Sequence, residues 1–68
     1  MITAAKNKLA QCRTRDALYS ALALECEQLG FDYDLSRSFR YNAGKARDSM
    51  RFGVAEIINF AERVEGEL

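Results

Sequence analysis

At 68 residues, 49% of them hydrophobic, with ten bases against ten acids, the chain reads as one small folded domain over residues 1–68 and not as a disordered tail. No apolar run approaches the ~20 residues needed to cross a bilayer, and a net charge of zero provides no general attraction to a polyanion. Without a single histidine, triads of the Ser-His-Asp or Cys-His type and a four-ligand zinc site cannot be assembled, and Cys12 and Cys26 read as reduced thiols packed like small apolar residues.

The first residues, Met-Ile-Thr-Ala-Ala-Lys-Asn-Lys, hold no apolar segment followed by a small-residue cleavage site, so a cytoplasmic location is expected. Proline is absent throughout, no Gly/Ser linker or internal repeat interrupts the chain, and no Val/Ile/Thr cluster alternates with period two. These features predict an all-α fold. A first helix from about Ile2 to Cys12 places Ile2, Ala5, Leu9 and Cys12 on one side and turns Lys6, Asn7 and Gln11 away.

Thr14 is placed to cap a second helix, with Asp16 in its first turn and Leu18, Leu22, Cys26 and Leu29 as its apolar stripe. Gly30 supplies the left-handed residue that ends a helix. Phe31-Asp32-Tyr33-Asp34 follows as a turn whose aromatics fold back over the core, and Asp34 or Ser36 is expected to cap the next helix.

From about Leu35 to Glu65 the apolar positions Phe39, Ala43, Ala46, Met50, Gly53, Ile57, Phe60 and Val64 recur at alternating four- and three-residue spacing. One long third helix results. Gly44 and Gly53 each cost about 1 kcal/mol relative to alanine in a helix interior, so a bend or a break at Asn42-Ala43-Gly44 is the alternative, but the spacing stays in phase across both glycines and favours continuity. The expected architecture is a three-helix up-down-up bundle: a helical hairpin plus a long C-terminal helix.

Charge is segregated along the chain. Residues 1–15 carry four bases and no acid, 16–34 five acids and no base, 35–52 five bases against one acid, and 53–68 four acids against one base. In an up-down-up bundle Glu25 and Glu27 would meet Arg37 and Arg40 at one end, and Arg13 and Arg15 would meet Glu62 and Glu65 at the other. Exposed pairs of that kind contribute roughly 0–1 kcal/mol each and would choose the topology more than stabilise it.

One stripe is not exhausted by such pairing. At about 100° per residue, Arg37, Arg40, Gly44, Arg47 and Arg51 project within one sector beside the apolar face. Arg47 and Arg51 form a like-charge pair one turn apart, mildly unfavourable unless an anion or an acidic surface covers them. Away from the core, Tyr41, Lys45, Asp48, Phe52 and Asn59 cluster, a composition suited to contact. Arg37, Arg40, Tyr41, Lys45, Arg47, Arg51 and Phe52 are therefore the candidate partner-binding residues.

The segment Leu24 to Arg40 also resembles a helix-turn-helix: Glu25-Cys26-Glu27-Gln28-Leu29-Gly30, a short turn, then Leu35-Ser36-Arg37-Ser38-Phe39-Arg40. Cysteine stands where that motif usually has alanine, and Leu35 comes one place early. The resemblance implies that Arg37, Ser38, Arg40 and Tyr41 face a nucleic-acid groove. Set against it, the five acids of residues 16–34 would also face phosphates.

The first expectation is thus a non-enzymatic protein-interaction module, an inhibitor, adaptor or regulatory protein, that docks through the third helix onto another protein or a second copy of itself as a homodimer. A nucleic-acid-binding regulator is the alternative. No cofactor, metal, membrane or small-molecule substrate is expected, since no Gly-x-Gly-x-x-Gly run is present and Gly44-Lys45 lacks the rest of a phosphate-binding loop.

Overall fold

Thr14 begins the second helix as its residue type dictates: the Oγ1 accepts the backbone N–H of Ala17 at 3.1 Å, satisfying an amide that the first turn leaves unpaired. The computed structural model describes residues 1–68 and places them in four helices with no strand: α1 (Ile2–Ala10), α2 (Arg15–Gln28), α3 (Phe39–Asp48) and α4 (Phe52–Gly66). No helix is long and apolar enough to cross a membrane.

Gly30 ends α2 as expected, with φ of 80°. Its N–H donates to the Glu27 carbonyl at 2.9 Å and the N–H of Phe31 donates to the Cys26 carbonyl at 2.8 Å, a paired C-terminal cap in which Phe31 folds onto the core beside Cys26.

The long third helix is two helices. Leu35 to Ser38 lie outside any helix, and the residue that caps α3 is Ser38, whose Oγ accepts from the Tyr41 N–H at 3.1 Å, not Asp34 or Ser36. Gly44 sits inside unbroken helix, and the interruption falls at Ser49–Arg51. There the cap of α2 is repeated: the Met50 N–H donates to the Arg47 carbonyl at 2.9 Å and the Arg51 N–H to the Ala46 carbonyl at 2.7 Å, with Met50 at φ 59°. The Ser49 hydroxyl also donates to the Lys45 carbonyl at 2.9 Å, helping to close the last turn.

Met50 matched the helical spacing by phase alone, and it is 76% exposed. A side chain in the left-handed region costs roughly 1–2 kcal/mol. Breaking the rod lets its two halves pack on one another, and each of Val54, Ile57 and Ile58 gains about 1.5–3 kcal/mol from burial. Packing wins.

Met50→Gly removes the backbone strain while loosening the unfolded chain, so a net gain of roughly 0.5–1 kcal/mol is expected. Thermal unfolding followed by circular dichroism should show a higher midpoint, by about 4 °C. A lower midpoint would mean that the Met50 side chain itself stabilises the turn.

The break makes α4 the central helix. It packs against α1, α2 and α3, whereas α3 makes helix contacts with α4 alone. The core combines Ala5 and Leu9 of α1, Leu18, Leu22 and Cys26 of α2, Phe31 of the loop, Ala43 and Ala46 of α3, and five residues of α4 from Val54 to Ala61. Ile2 and Cys12 of the first stripe, with Leu29 of the second, pack at the edge of this cluster. Gly53 permits close approach of α1: the Ile2 Cδ1 lies 3.2 Å from where a Cβ would stand.

Candidate partner-binding groove

Between α2 and α3 runs a ten-residue connection, residues 29–38, which cannot float free because Asn42 holds it from below. Fully buried on α3, Asn42 accepts the Asp34 N–H through Oδ1 at 2.8 Å and donates through Nδ2 to the carbonyls of Asp34 at 3.0 Å and Ser38 at 2.9 Å. Asp34 in turn closes a local turn, accepting the Ser36 N–H at 2.9 Å and the Ser36 hydroxyl at 2.6 Å. Those two hydrogen bonds, followed by the charges of Arg37 and Lys45, outweigh desolvation and hold the Asp34 carboxyl below the usual carboxylate range.

The pinned loop forms one wall of a hollow of about 390 Å³, completed by Tyr19, Tyr33, Leu35, Arg37, Phe39, Arg40, Glu62 and Glu65. Its floor is aromatic, with the Tyr19 and Phe39 rings 6.0 Å apart and inclined at 57°, and the Tyr19 hydroxyl donating to the Glu65 carboxylate. Leu35 stands at the rim, 62% exposed. A second, more polar hollow of about 480 Å³ is lined by Arg40, Ala43, Arg47, Asn59 and Glu62. Arg40 and Glu62 border both, so the two form one groove along the α3–α4 seam.

The anticipated charge pairing is not made. Only two ion pairs come within 4.0 Å, Lys6 with Glu56 and Lys8 with Glu25, the latter at 3.4 Å. Glu25 turns toward α1, away from Arg37 and Arg40, and Glu65 is engaged by Tyr19, not by Arg13 or Arg15. The reason is topological: the four-helix arrangement sets α1 beside α2 and α4 and leaves α3 against α4 only. Arg37 and Arg40 consequently stand at the positive end of α3, whose first turn holds no acid. Neither they nor Arg47 has a carboxylate partner.

Of the seven residues singled out in the sequence, Arg37, Arg40 and Arg47 line the groove. Tyr41 lies on the neighbouring exposed face, its ring 4.5 Å from the Arg37 guanidinium, and Lys45 follows it one turn later. Phe52, 61% exposed, sits with Met50 at the α3–α4 turn. Arg51 leaves the stripe: its guanidinium donates to the Leu29 carbonyl at 2.9 Å and lies against Gly30, supplying the cation that the last turn of α2 lacks. Asn59 moves from the outer cluster into the groove.

Tyr19, Tyr33, Leu35, Phe39, Glu62 and Glu65 were missed as site residues, because they meet only once α4 packs against α3. An exposed leucine between two polar turns was the one local hint. The helix-turn-helix reading of residues 24–40 does not match the geometry either, since ten residues separate α2 from α3 where that motif has a turn of about 3–4.

Burial, and then the neighbouring Glu25 charge, push the Cys26 thiol up to about 12, and burial likewise raises the Tyr33 phenol to about 12. Both folded values exceed the unfolded ones, near 8.5 for cysteine and 10 for tyrosine. Their contribution to stability is therefore complete below about pH 8.5 and is lost as pH rises toward 12. Helix signal followed across that range should fall as tyrosinate absorbance appears, while at neutral pH a thiol reagent spares Cys26; rapid labelling of Cys26 in the folded protein would contradict this.

No group of three His, Cys, Asp or Glu side chains is placed to hold a metal ion. No protein-family model, no curated protein and no solved structure matches the chain.

Proposed function

We propose that this chain is a non-enzymatic protein-interaction module, of the inhibitor, adaptor or regulatory kind, that docks a partner in the groove between α3 and α4. The observation that carries the reading is the convergence of Arg37, Arg40 and Arg47, none in an ion pair within 4.0 Å, on a groove with an aromatic floor. Arginines and aromatics together are the residues that dominate protein interfaces. Glu62 and Glu65 line the same groove and would repel a phosphate backbone, which favours a protein over a nucleic acid.

Self-association is supported by a different surface, the turn where Met50 and Phe52 are exposed, with Tyr41 42% exposed on α3. A homodimer would add burial that so small a core lacks. Sedimentation over a concentration series would detect it, and Phe52→Asp should dissociate it.

The full chain, immobilised and exposed to extract of its source cell, is expected to retain a specific protein that the Arg40→Glu/Arg47→Glu double variant does not retain. Equal retention by both would remove the groove from the proposal. Tight binding of a DNA duplex, weakening steeply as salt rises, would replace the proposal with the nucleic-acid alternative.

A further inference from the structure

We infer that the groove takes an acidic segment of a partner protein, one bulky apolar side chain entering the aromatic hollow and carboxylates lying over Arg40 and Arg47. This rests on the interaction-module reading and specifies its ligand.

Charge complementarity selects the occupant. Three guanidinium groups flank the α3 side of the groove, two of them at a helix N-terminus where cations are disfavoured. Asp34 lies within the field of Arg37 and Glu62 lines the groove with Arg40 and Arg47, but none of the three arginines forms an ion pair within 4.0 Å. An acid laid across them removes that penalty and forms the charge-assisted, forked hydrogen bonds that suit arginine. Glu65, which accepts from the Tyr19 hydroxyl, lines only the aromatic hollow, where the ligand brings its apolar side chain and not an acid. Glu62 borders both hollows beside Arg40, so a third carboxylate placed midway would be repelled. The groove therefore discriminates among acidic ligands by where their charges fall, as a polyanion of uniform charge cannot.

The order of features along the groove makes the ligand specific. The aromatic hollow lies on one side of Arg40 and Arg47 on the other. Seven residues along a helix are roughly 10 Å. An extended segment spans that distance in about three residues, and a helical one in two turns. The ligand thus carries an aromatic or leucine side chain and, beyond it on the same face, two acids with uncharged residues between: two or four places apart if extended, because the side chains of an extended segment alternate faces, or seven if helical. The aromatic hollow, at about 390 Å³, lies within the range of clefts that enclose small ligands, roughly 300–1,000 Å³. Its wall is set in advance by the Asn42 hydrogen bonds, so little ordering is left for binding to pay for.

The test is a displayed library of random peptides selected on the intact chain, with the enriched peptides synthesised and titrated by calorimetry. Enrichment of peptides with an apolar anchor and two acids at the stated spacing is expected. Arg40→Glu and Arg47→Glu should each weaken them tenfold or more, raised salt should weaken them further, and Leu35→Ala should weaken them with little change in salt dependence. All three positions are exposed, and circular dichroism of each variant checks that the helices remain.

Enrichment of peptides without acids, no enrichment at all, or binding indifferent to both charge reversals would each overturn the inference. So would peptide-free self-association abolished by Arg40→Glu, since the occupant would then be a second copy. Should a specific cellular partner still be captured by both charge-reversed variants, the interaction-module reading survives and this assignment of the groove alone falls.

Discussion

Asn42→Ala is expected to destabilise the fold by about 2–3 kcal/mol and to lower the melting midpoint by on the order of 15 °C. The side chain is fully buried and makes three hydrogen bonds to loop backbone, at Asp34 twice and at Ser38 once. Removing it leaves the Asp34 N–H without its acceptor and frees two carbonyls, and a buried backbone group without a partner costs roughly 1–3 kcal/mol. Water can reach part of this loop, because Asp34 is half-buried and Ser38 exposed, which keeps the total below the sum of three full penalties.

The consequence for the groove is as informative as the loss of stability. Leu35 and Arg37 hang from the segment that Asn42 pins, so the variant should bind the acidic peptide more weakly although Asn42 does not line the groove. Asn42→Asp sharpens the test. Its carboxylate still accepts from the Asp34 N–H but opposes two carbonyls, so it should be at least as unstable at neutral pH and recover partly in acid as it protonates. A change of less than about 1 kcal/mol for Asn42→Ala would show that the loop is held by other means.

Ile58→Ala has the largest expected effect, about 3–4 kcal/mol. For 68 residues the whole stability is on the order of 3–10 kcal/mol, so the variant should be substantially unfolded in mild denaturant. Ile57 and Ile58 are both fully buried although neighbours in the helix point about 100° apart, because α4 is covered by α1, α2 and α3 together. A helix sealing a bundle with one side only would show a large loss at Ile57 and a small one at Ile58. Equilibrium unfolding in urea, with equal losses at the two positions, would match the central placement of α4. A loss under about 0.5 kcal/mol at Ile58 would contradict it.

The same residue marks how far the chain could be read unaided. Spacing identified Ile57 and passed over Ile58, Val54, Ala55 and Ala61, since a single apolar stripe was fitted to a helix that has several packed neighbours. For α1 and α2, which each face the core with one side, the core residues Ala5, Leu9, Leu18, Leu22 and Cys26 were legible, while Ile2, Cys12 and Leu29 of the same stripes are only partly buried and Glu25, expected in an exposed pair, is buried. Three of the groove arginines were legible as well, because Arg40 and Arg47 flank the apolar face whether or not the helix continues beyond them. Arg51 was not, because its place depends on a left-handed residue at Met50, a position where glycine would have announced the turn and methionine does not.

Local chemistry alone therefore determined the helical class, the Thr14 cap, the Gly30 stop and the segregation of charge, all of them effects that act within one or two turns of backbone. Tertiary structure decided the break at Met50, the burial of Asn42 and the meeting of α3 with α4. The reason is energetic: a strained residue costing roughly 1–2 kcal/mol is overridden by the burial of several aliphatic side chains, and that balance is struck between segments distant in the chain. Only then do Arg40 and Arg47 border a groove with Glu62 and Asn59.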